Sequence, residues 1–376
     1  GYFAGTSIDT NMREIFPTQR EAMLERVNAI DPIKYGTTRN YIQGAVSRLS
    51  PYISRGAVSL PFIKENLLSR FSAYQAKPFL QQLAWREYFQ RVWWAMGNDI
   101  FQDIKHPQPS VSHHQLPKAL LEATTGIEQI DQSIQQLTKT GYLHNHARLY
   151  TAMLACNIGR AHWQMPAQWM YYHLLDGDIA SNTLSWQWVA GSFSNKKYYA
   201  NQDNINHYSG LTQTKSYLQL GYEQLPQMPI PEALKEITQA NFTTPLPITQ
   251  TPLLHSSLPL ALYTSYQLDP HWRSAENLNR LLVLAPSHFN KYPVSAQVIS
   301  FTVELAQNLI PGIQIFVGEV EDIPALSNFP AIYHQQHPLT QHFPGTATPA
   351  KWMFPEATYR GQGFFGYWKQ CEKTLK

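Results

Sequence analysis

The sequence predicts a mainly helical protein that ends in a small α/β unit. Three observations predict it: helical apolar spacing from Pro17 to about Asn206, a Pro- and Thr-rich stretch after that, and short apolar β-rich runs beyond it. The helical period runs through FPTQREAMLERVNAI, AVSLPFIKENLLSRF, FLQQLAWREYFQRVWWAM, IEQIDQSIQQLTKTGY and NHARLYTAMLACNIGR. From roughly Gln224 to Ser257, QLPQMPIPEAL and TTPLPITQTPLL read as an extended connector with one short helix. LPLALYTSY, NRLLVLAP, IQIFVGEV and PAIYHQQ then read as strands, with SAQVISFTVELAQNLIP as a helix between two of them. Strand, helix, strand at this spacing implies some parallel pairing. The expected division is a helical domain over 1–222, a connector over 223–257 and an α/β domain over 258–376.

Composition narrows the function classes. A chain of 376 residues with 43% hydrophobic content supplies two cores. Its 13% of Trp, Tyr and Phe fits a ring-lined cofactor pocket, and equally an ordinary aromatic core. The net charge of +3 permits a basic face for nucleic acid without requiring one. Cys156 and Cys371 stand far apart and outside any CxxC spacing, so no zinc site or iron–sulfur cluster can be built from thiolates of this chain, and no metal is expected. No apolar run reaches the roughly 18 residues of a membrane span. The opening GYFAGTSIDTNMREIF lacks the form of a signal peptide, so a soluble, cytoplasmic protein is the expectation. Neither G-x-G-x-x-G nor a P-loop occurs, which leaves the α/β unit without a nucleotide motif.

Four segments carry the chemistry. In Tyr35-GTTRN-Tyr41-IQGAVSRLSPYISRG, Ser47 and Ser50 precede Pro51, so hydroxyls and free backbone N–H groups converge where a helix begins. Such a terminus can hold a pyrophosphate; Ser50 as a simple N-cap is the competing reading. In QLAWREYFQRVWW, Gln82, Trp85 and Arg86 share one helix face, as a cavity wall or as core filler with a solvated Arg86–Glu87 pair. Tyr142-LHNHARL and Leu174-LDGDIASNTLSWQW supply an Arg and two acids nearly thirty residues apart, which would ordinarily be surface charge.

Together these segments resemble the photolyase and cryptochrome family: its (T/V)SRLSPYLxxG, (E/Q)LxWRE, WMHNxxR and DGDxAxNxxxWQW motifs, in order and spacing, over roughly residues 15 to 210. The resemblance implies a helical FAD-binding domain. By it, the segment holding Tyr35, Ser47, Leu49 and Ser50 wraps the FAD pyrophosphate and Arg86 lies on the cofactor side. Arg148 and Asp176 pair against the isoalloxazine ring, Asp178 accepts from the ribityl chain or ring edge, Asn182 sits opposite flavin N5, and Asn145 borders cofactor and substrate. Trp85 and Trp188 would clamp a flipped-out pyrimidine dimer, with Gln82, Asn145 and Leu149 lining its pocket. Trp186 and Trp163 match the first two members of an electron-hopping chain, Trp163 standing thirteen residues before Asp176. Leu120 stands where the third is expected, and Trp93 or Trp94 is the candidate replacement.

The departures bear on activity. Enzymes for cyclobutane dimers usually have Glu at the place of Gln82 and Met at that of Leu149, whereas repair of six-four photoproducts needs His where Asn145 and Leu149 stand. His144 and His146 flank the site either as proton carriers or as bystanders, and His146 replaces an Arg used on DNA phosphate. GSFSNKKYYANQDNINHYSG is similar to the iron–sulfur branch without its cysteines. The flavin-domain motifs begin almost at once, so the family's N-terminal α/β antenna domain is not expected ahead of them, and 258–376 reads either as a relocated, reduced version of it or as an unrelated appendage. The expectation is therefore a monomeric DNA photolyase whose reduced FAD passes an electron to a pyrimidine dimer, with damaged or single-stranded sites favoured because unstacking is cheapest there. The alternatives are a cryptochrome-type photoreceptor and a flavoprotein that binds nucleic acid without light chemistry.

Overall fold

A computed structural model describes residues 15–40 and 48–375. The chain folds as two compact units. One contains 15–32, 48–94 and 243–375 of the described residues; the other contains 33–40 and 95–242.

The first unit is built on a parallel sheet. Strands β3 (Leu260–Tyr263), β4 (Asn279–Leu284), β5 (Gln314–Val317), β6 (Ile332–Gln335) and β7 (Thr346–Thr348) lie in the order β5-β4-β3-β6-β7, every neighbouring pair parallel. Counted within the sheet this is 3-2-1-4-5, the doubly wound order whose reversal falls between β3 and β6. Every residue of β3 and β4 is buried, and LALY and the LLVL end of β4 read as apolar runs rather than alternations. The helix Ala296–Leu309 makes the crossover between β4 and β5. Ser295 caps it, and Val298, Phe301 and Leu305 point inward.

The helices Arg20–Asn28, Ser50–Ser54 and Leu60–Arg70, and most of Ala73–Met96, belong to this same unit. Leu60–Arg70 begins on Ser59, whose hydroxyl accepts from Phe62 N at 3.2 Å. Gly56 has φ +72, and a Cβ there would lie 2.4 Å from the Tyr266 carbonyl oxygen, so only glycine allows this approach to the loop after β3. The helix Ala73–Met96 carries the WRE segment. Its Glu87 is buried and accepts from the backbone N–H groups of Met353 (2.6 Å) and Phe354 (2.8 Å). Lys64 and Arg91 donate to the carbonyls of the same two residues, at 3.1 Å each. A stretch without secondary structure thus has its backbone polar groups met by side chains.

The second unit is helical. Its helices are Pro32–Thr38, Lys118–Glu122, Glu128–Thr140, Asn145–Met153, Gln164–His173, Ile179–Ala190 and Gln202–Ser209, with one short antiparallel pair, β1 (Leu116–Pro117) and β2 (Ile237–Thr238). Leu154–Ile158 continues Asn145–Met153 as a π turn. Ile130, Ile134, Leu137, Tyr150, Trp163, Trp169 and Trp186 form part of one apolar core. Leu120, at the expected place of a surface Trp, lies inside that core. The connector reading meets two 3-10 turns, Leu225–Gln227 and Glu232–Leu234, rather than one helix.

Candidate flavin site

The best-defined constellation lies in the helical unit. Arg148, one turn into Asn145–Met153, donates from Nη2 to Asp176 Oδ2 at 2.6 Å and from Nε to the Leu143 carbonyl at 2.9 Å. Burial opposes the Arg148 charge, but the Asp176 carboxylate beside it outweighs burial and raises the guanidinium pKa further. Asp178 is the N-cap of Ile179–Ala190, its carboxylate accepting from Ser181 N at 2.8 Å. Gly177 between the two acids is closely packed: a Cβ would lie 3.1 Å from the Tyr171 ring and from the Leu174 carbonyl, so those neighbours would have to give way.

Asn182, one turn further on, donates from Nδ2 to the Ala167 carbonyl at 2.9 Å, which leaves Oδ1 as the other hydrogen-bonding atom of its amide. Ala167 N in turn donates to the Trp163 carbonyl, so Asn182 and Trp163 are tied to one turn of Gln164–His173. Tyr35 is nearly buried, its hydroxyl pushed up to about 12 by burial, with Arg39 and Tyr142 next to it. Tyr142 lies under the Arg148 guanidinium, 5.6 Å from centroid to carbon. Tyr35, Tyr142, Arg148 and Asp176 therefore form one cluster.

The same unit carries Asn145, Leu149, Trp186 and Trp188. Asn145 is exposed at the start of its helix, Leu149 is half-buried against the core, and Trp186 is buried. Trp188 is 37% exposed, its ring 5.9 Å from that of Tyr198. His144 accepts from His146 N at 3.1 Å through Nδ1, capping the helix. Burial, with His146 and Arg148 near, holds its pKa down at about 4. A histidine depressed on folding contributes stability that is present above its ordinary 6.5 and is lost as pH falls toward 4. The unfolding temperature is expected to drop across that window, and less steeply in His144→Asn, which keeps a capping acceptor.

In the sheet-bearing unit, Ser50 is the first residue of a five-residue helix, Ser50–Ser54, with buried Leu49 at the cap position and no side-chain cap. The simple N-cap reading of Ser50 is thus off by one residue, within the usual spread of helix ends. Ser47 lies outside the described residues. Gln82 and Arg86 are half-buried on Ala73–Met96. Trp85 is stacked on Phe364 of the C-terminal helix Phe364–Glu372, centroids 3.8 Å apart and planes 15° from parallel. Phe365 meets the same ring edge-on.

Spacing could not reveal several residues that hold the helical unit. Gln187, the glutamine of WQW, is fully buried and donates to the Ile100 and Gln102 carbonyls while accepting from Ile104 N and Ser192 Oγ. It fixes the loop that carries Asp103. Asp103 Oδ1 accepts from Trp163 Nε1 at 2.7 Å and is 2.9 Å from His162 Nε2, while Oδ2 accepts from Gln108 N at 2.8 Å. Burial disfavours the Asp103 charge, but these donors outweigh it and lower its pKa.

Residues 79–221 match the family described as the FAD binding domain of DNA photolyase. The chain is 28% identical over 169 residues to a deoxyribodipyrimidine photo-lyase of Synechococcus, covering 42% of this chain and 35% of that one. It is 31% identical over 149 residues to the enzyme of that name from Alkalihalophilus pseudofirmus, 38% and 31% covered. To the Xenopus laevis cryptochrome DASH it is 26% identical over 253 residues, 63% and 46% covered. The chain thus spans about a third to a half of these relatives' length. Among solved structures, a Synechocystis cryptochrome aligns with TM-score 0.44 at 24% identity, 50% and 43% covered.

The matched segment is a flavin-binding helical domain. It is similar to photolyases and to a cryptochrome, and its cofactor is FAD. The residues present fit that group. Arg148 and Asp176 form an ion pair that is costly to bury without a group to serve. Close by, the Ser181 hydroxyl is buried with no hydrogen-bond partner in the protein, an orphaned polar atom inside DGDIASN. Among the described residues no three His, Cys, Asp or Glu stand where they could hold a metal, and no helix is long and apolar enough to cross a membrane.

Proposed function

We propose that this protein is a light-driven DNA photolyase that splits pyrimidine dimers of the cyclobutane type. The observation that carries the reading is the Arg148–Asp176 pair beside an Asn182 whose donor end is already engaged. When bound, reduced FAD supplies a photoexcited electron donor. The chain's residues do the rest. Arg148, Asp176 and Asp178 would hold the ring and its ribityl chain, and Tyr35, Leu49, Ser47, Ser50 and Arg86 are the other residues assigned to the cofactor. Asn182 would offer its neutral amide, through Oδ1, to the reacting edge of the bound flavin. The residues assigned to the extruded dimer are Gln82, Trp85, Asn145, Leu149 and Trp188, indoles being suited to stacking on unpaired bases. Trp186 and Trp163 would be the residues that pass electrons toward the flavin site. Trp186→Phe is expected to abolish flavin photoreduction, read by absorbance under blue light; unchanged photoreduction would remove Trp186 from the path.

The partner proposed is DNA carrying pyrimidine dimers, single strands included, bound by a monomer in the cytoplasm. The proposed division is 1–222, 223–257 and 258–376, with the last a relocated antenna-like domain. The five parallel strands in doubly wound order support that reading. A second chromophore that co-purifies with the protein would add to it, whereas FAD alone, with an action spectrum superimposing on flavin absorbance, would count against it.

One observation favours a cryptochrome-like photoreceptor instead: a face of Trp85 is already covered by Phe364. The deciding experiment gives reduced protein a single-stranded oligonucleotide with one thymine dimer, in light and in darkness. Light-dependent recovery of intact thymines, lost in Asn182→Ala, supports repair; photoreduction without recovery supports the photoreceptor.

A further inference from the structure

We propose that Asp103 is the proton acceptor for oxidised Trp163, held in place by His162, so that the electron-transfer chain ends in a deprotonated, neutral indole radical. The inference rests on the reading above in which Trp163 gives up an electron through Trp186. The chain lacks the means to carry the hole farther by the expected route, since Leu120 is an apolar core residue. Trp163 is itself 3% exposed, so a hole left there must be stabilised on the spot or return.

The surroundings of Trp163 provide for that. Removing an electron from an indole makes its N–H a far stronger acid, and this N–H already points at a carboxylate oxygen 2.7 Å away, within proton-transfer range. The carboxylate is ionised in the resting state, held so by the Gln108 N–H and the two ring N–H donors. The His162 tautomer is fixed: Nδ1 accepts from Gln164 N at 3.3 Å, so Nε2 carries the hydrogen and donates to Asp103. His162 is therefore a positioning residue with no vacant site for the proton. Asp103 is 23% exposed, which opens it to water, and the exposed His114 stacks on His162 at 4.8 Å at the same rim.

The step balances. The electron leaves Trp163 for the photoexcited oxidised flavin by way of Trp186. The Nε1–H bond breaks, an O–H bond forms on Asp103, and the proton passes to solvent. Gln187, by clamping residues 100 to 104, keeps the acceptor aligned.

The test compares the native protein, Asp103→Asn and Trp163→Phe after a blue flash, reading the transient visible spectrum of the indole. Asp103→Asn keeps the shape and an acceptor oxygen but not the base. The native protein is expected to show the neutral indole radical, with a slower rise in heavy water. Asp103→Asn is expected to show the indole cation, returning faster by on the order of tenfold or more. In the dark, the Trp163 indole ¹⁵N–¹H resonance, assigned by its loss in Trp163→Phe, is expected to move upfield in Asp103→Asn as the charge-assisted bond is lost. A neutral-radical spectrum and unchanged kinetics in Asp103→Asn would overturn the proposal. If Trp163→Phe photoreduces like the native protein, it is the underlying role of Trp163 that fails, a different result from failure at Asp103.

Discussion

Asp176→Ala is expected to purify with almost no flavin. The substitution strands Arg148 in a half-buried position with its carboxylate partner gone, and breaking such a pair costs about 3–5 kcal/mol. If that loss falls on cofactor binding, affinity drops by roughly two to three powers of ten. Arg148→Lys should behave almost as badly, because the guanidinium also donates from Nε to the Leu143 carbonyl, a second bond that a single ammonium on a different geometry does not reproduce. The ratio of flavin to protein absorbance measures the outcome, and circular dichroism confirms that the helices persist. Full flavin occupancy in Asp176→Ala would separate this pair from the cofactor.

The second large effect is expected at a residue with no assigned part in the chemistry. Glu87→Ala removes the acceptor for the Met353 and Phe354 N–H groups, both on the buried side of Ala73–Met96. Leaving two buried donors unmet costs about 2–5 kcal/mol, enough to lower the unfolding temperature by several degrees or more. Burial raises the Glu87 pKa, with the two backbone donors opposing it, so the carboxyl carries a proton to a higher pH than a free glutamate would. Glu87→Gln retains one acceptor oxygen and should lose less than half as much. Equal unfolding temperatures for Glu87→Ala and the native protein would show that segment 353–354 is held by other contacts.

These two residues illustrate what the sequence discloses. Helices were legible wherever one face is apolar, as in Glu128–Thr140 and Ala296–Leu309, because periodicity is a local property. The four longer parallel strands were legible as apolar runs. β7 (TAT) was not, since three half-polar residues at a sheet edge carry no pattern of their own. The Arg148–Asp176 pair was reached through resemblance, not spacing.

What stayed hidden depends on long-range contact. Asp103 reads as an ordinary loop acid until the fold brings Trp163, sixty residues on, within 2.7 Å. Glu87 reads as half of a solvated pair, although its partners lie more than 260 residues away. Trp85 reads as a free stacking surface until Phe364 is found against it. Helical spacing places a side chain on a face, but only tertiary packing says what meets that face.

A flavin held by Arg148, Asp176 and Asn182 is proposed to repair DNA in light. The most direct measurement is the fraction of thymine dimers reversed per absorbed photon in a single-stranded oligonucleotide, with FAD fully reduced beforehand so that the tryptophans are not needed. Reversal is expected in light, none in darkness, with near-complete loss in Asn182→Ala and Trp188→Ala. Absence of reversal, in protein that holds FAD and photoreduces normally, would contradict it.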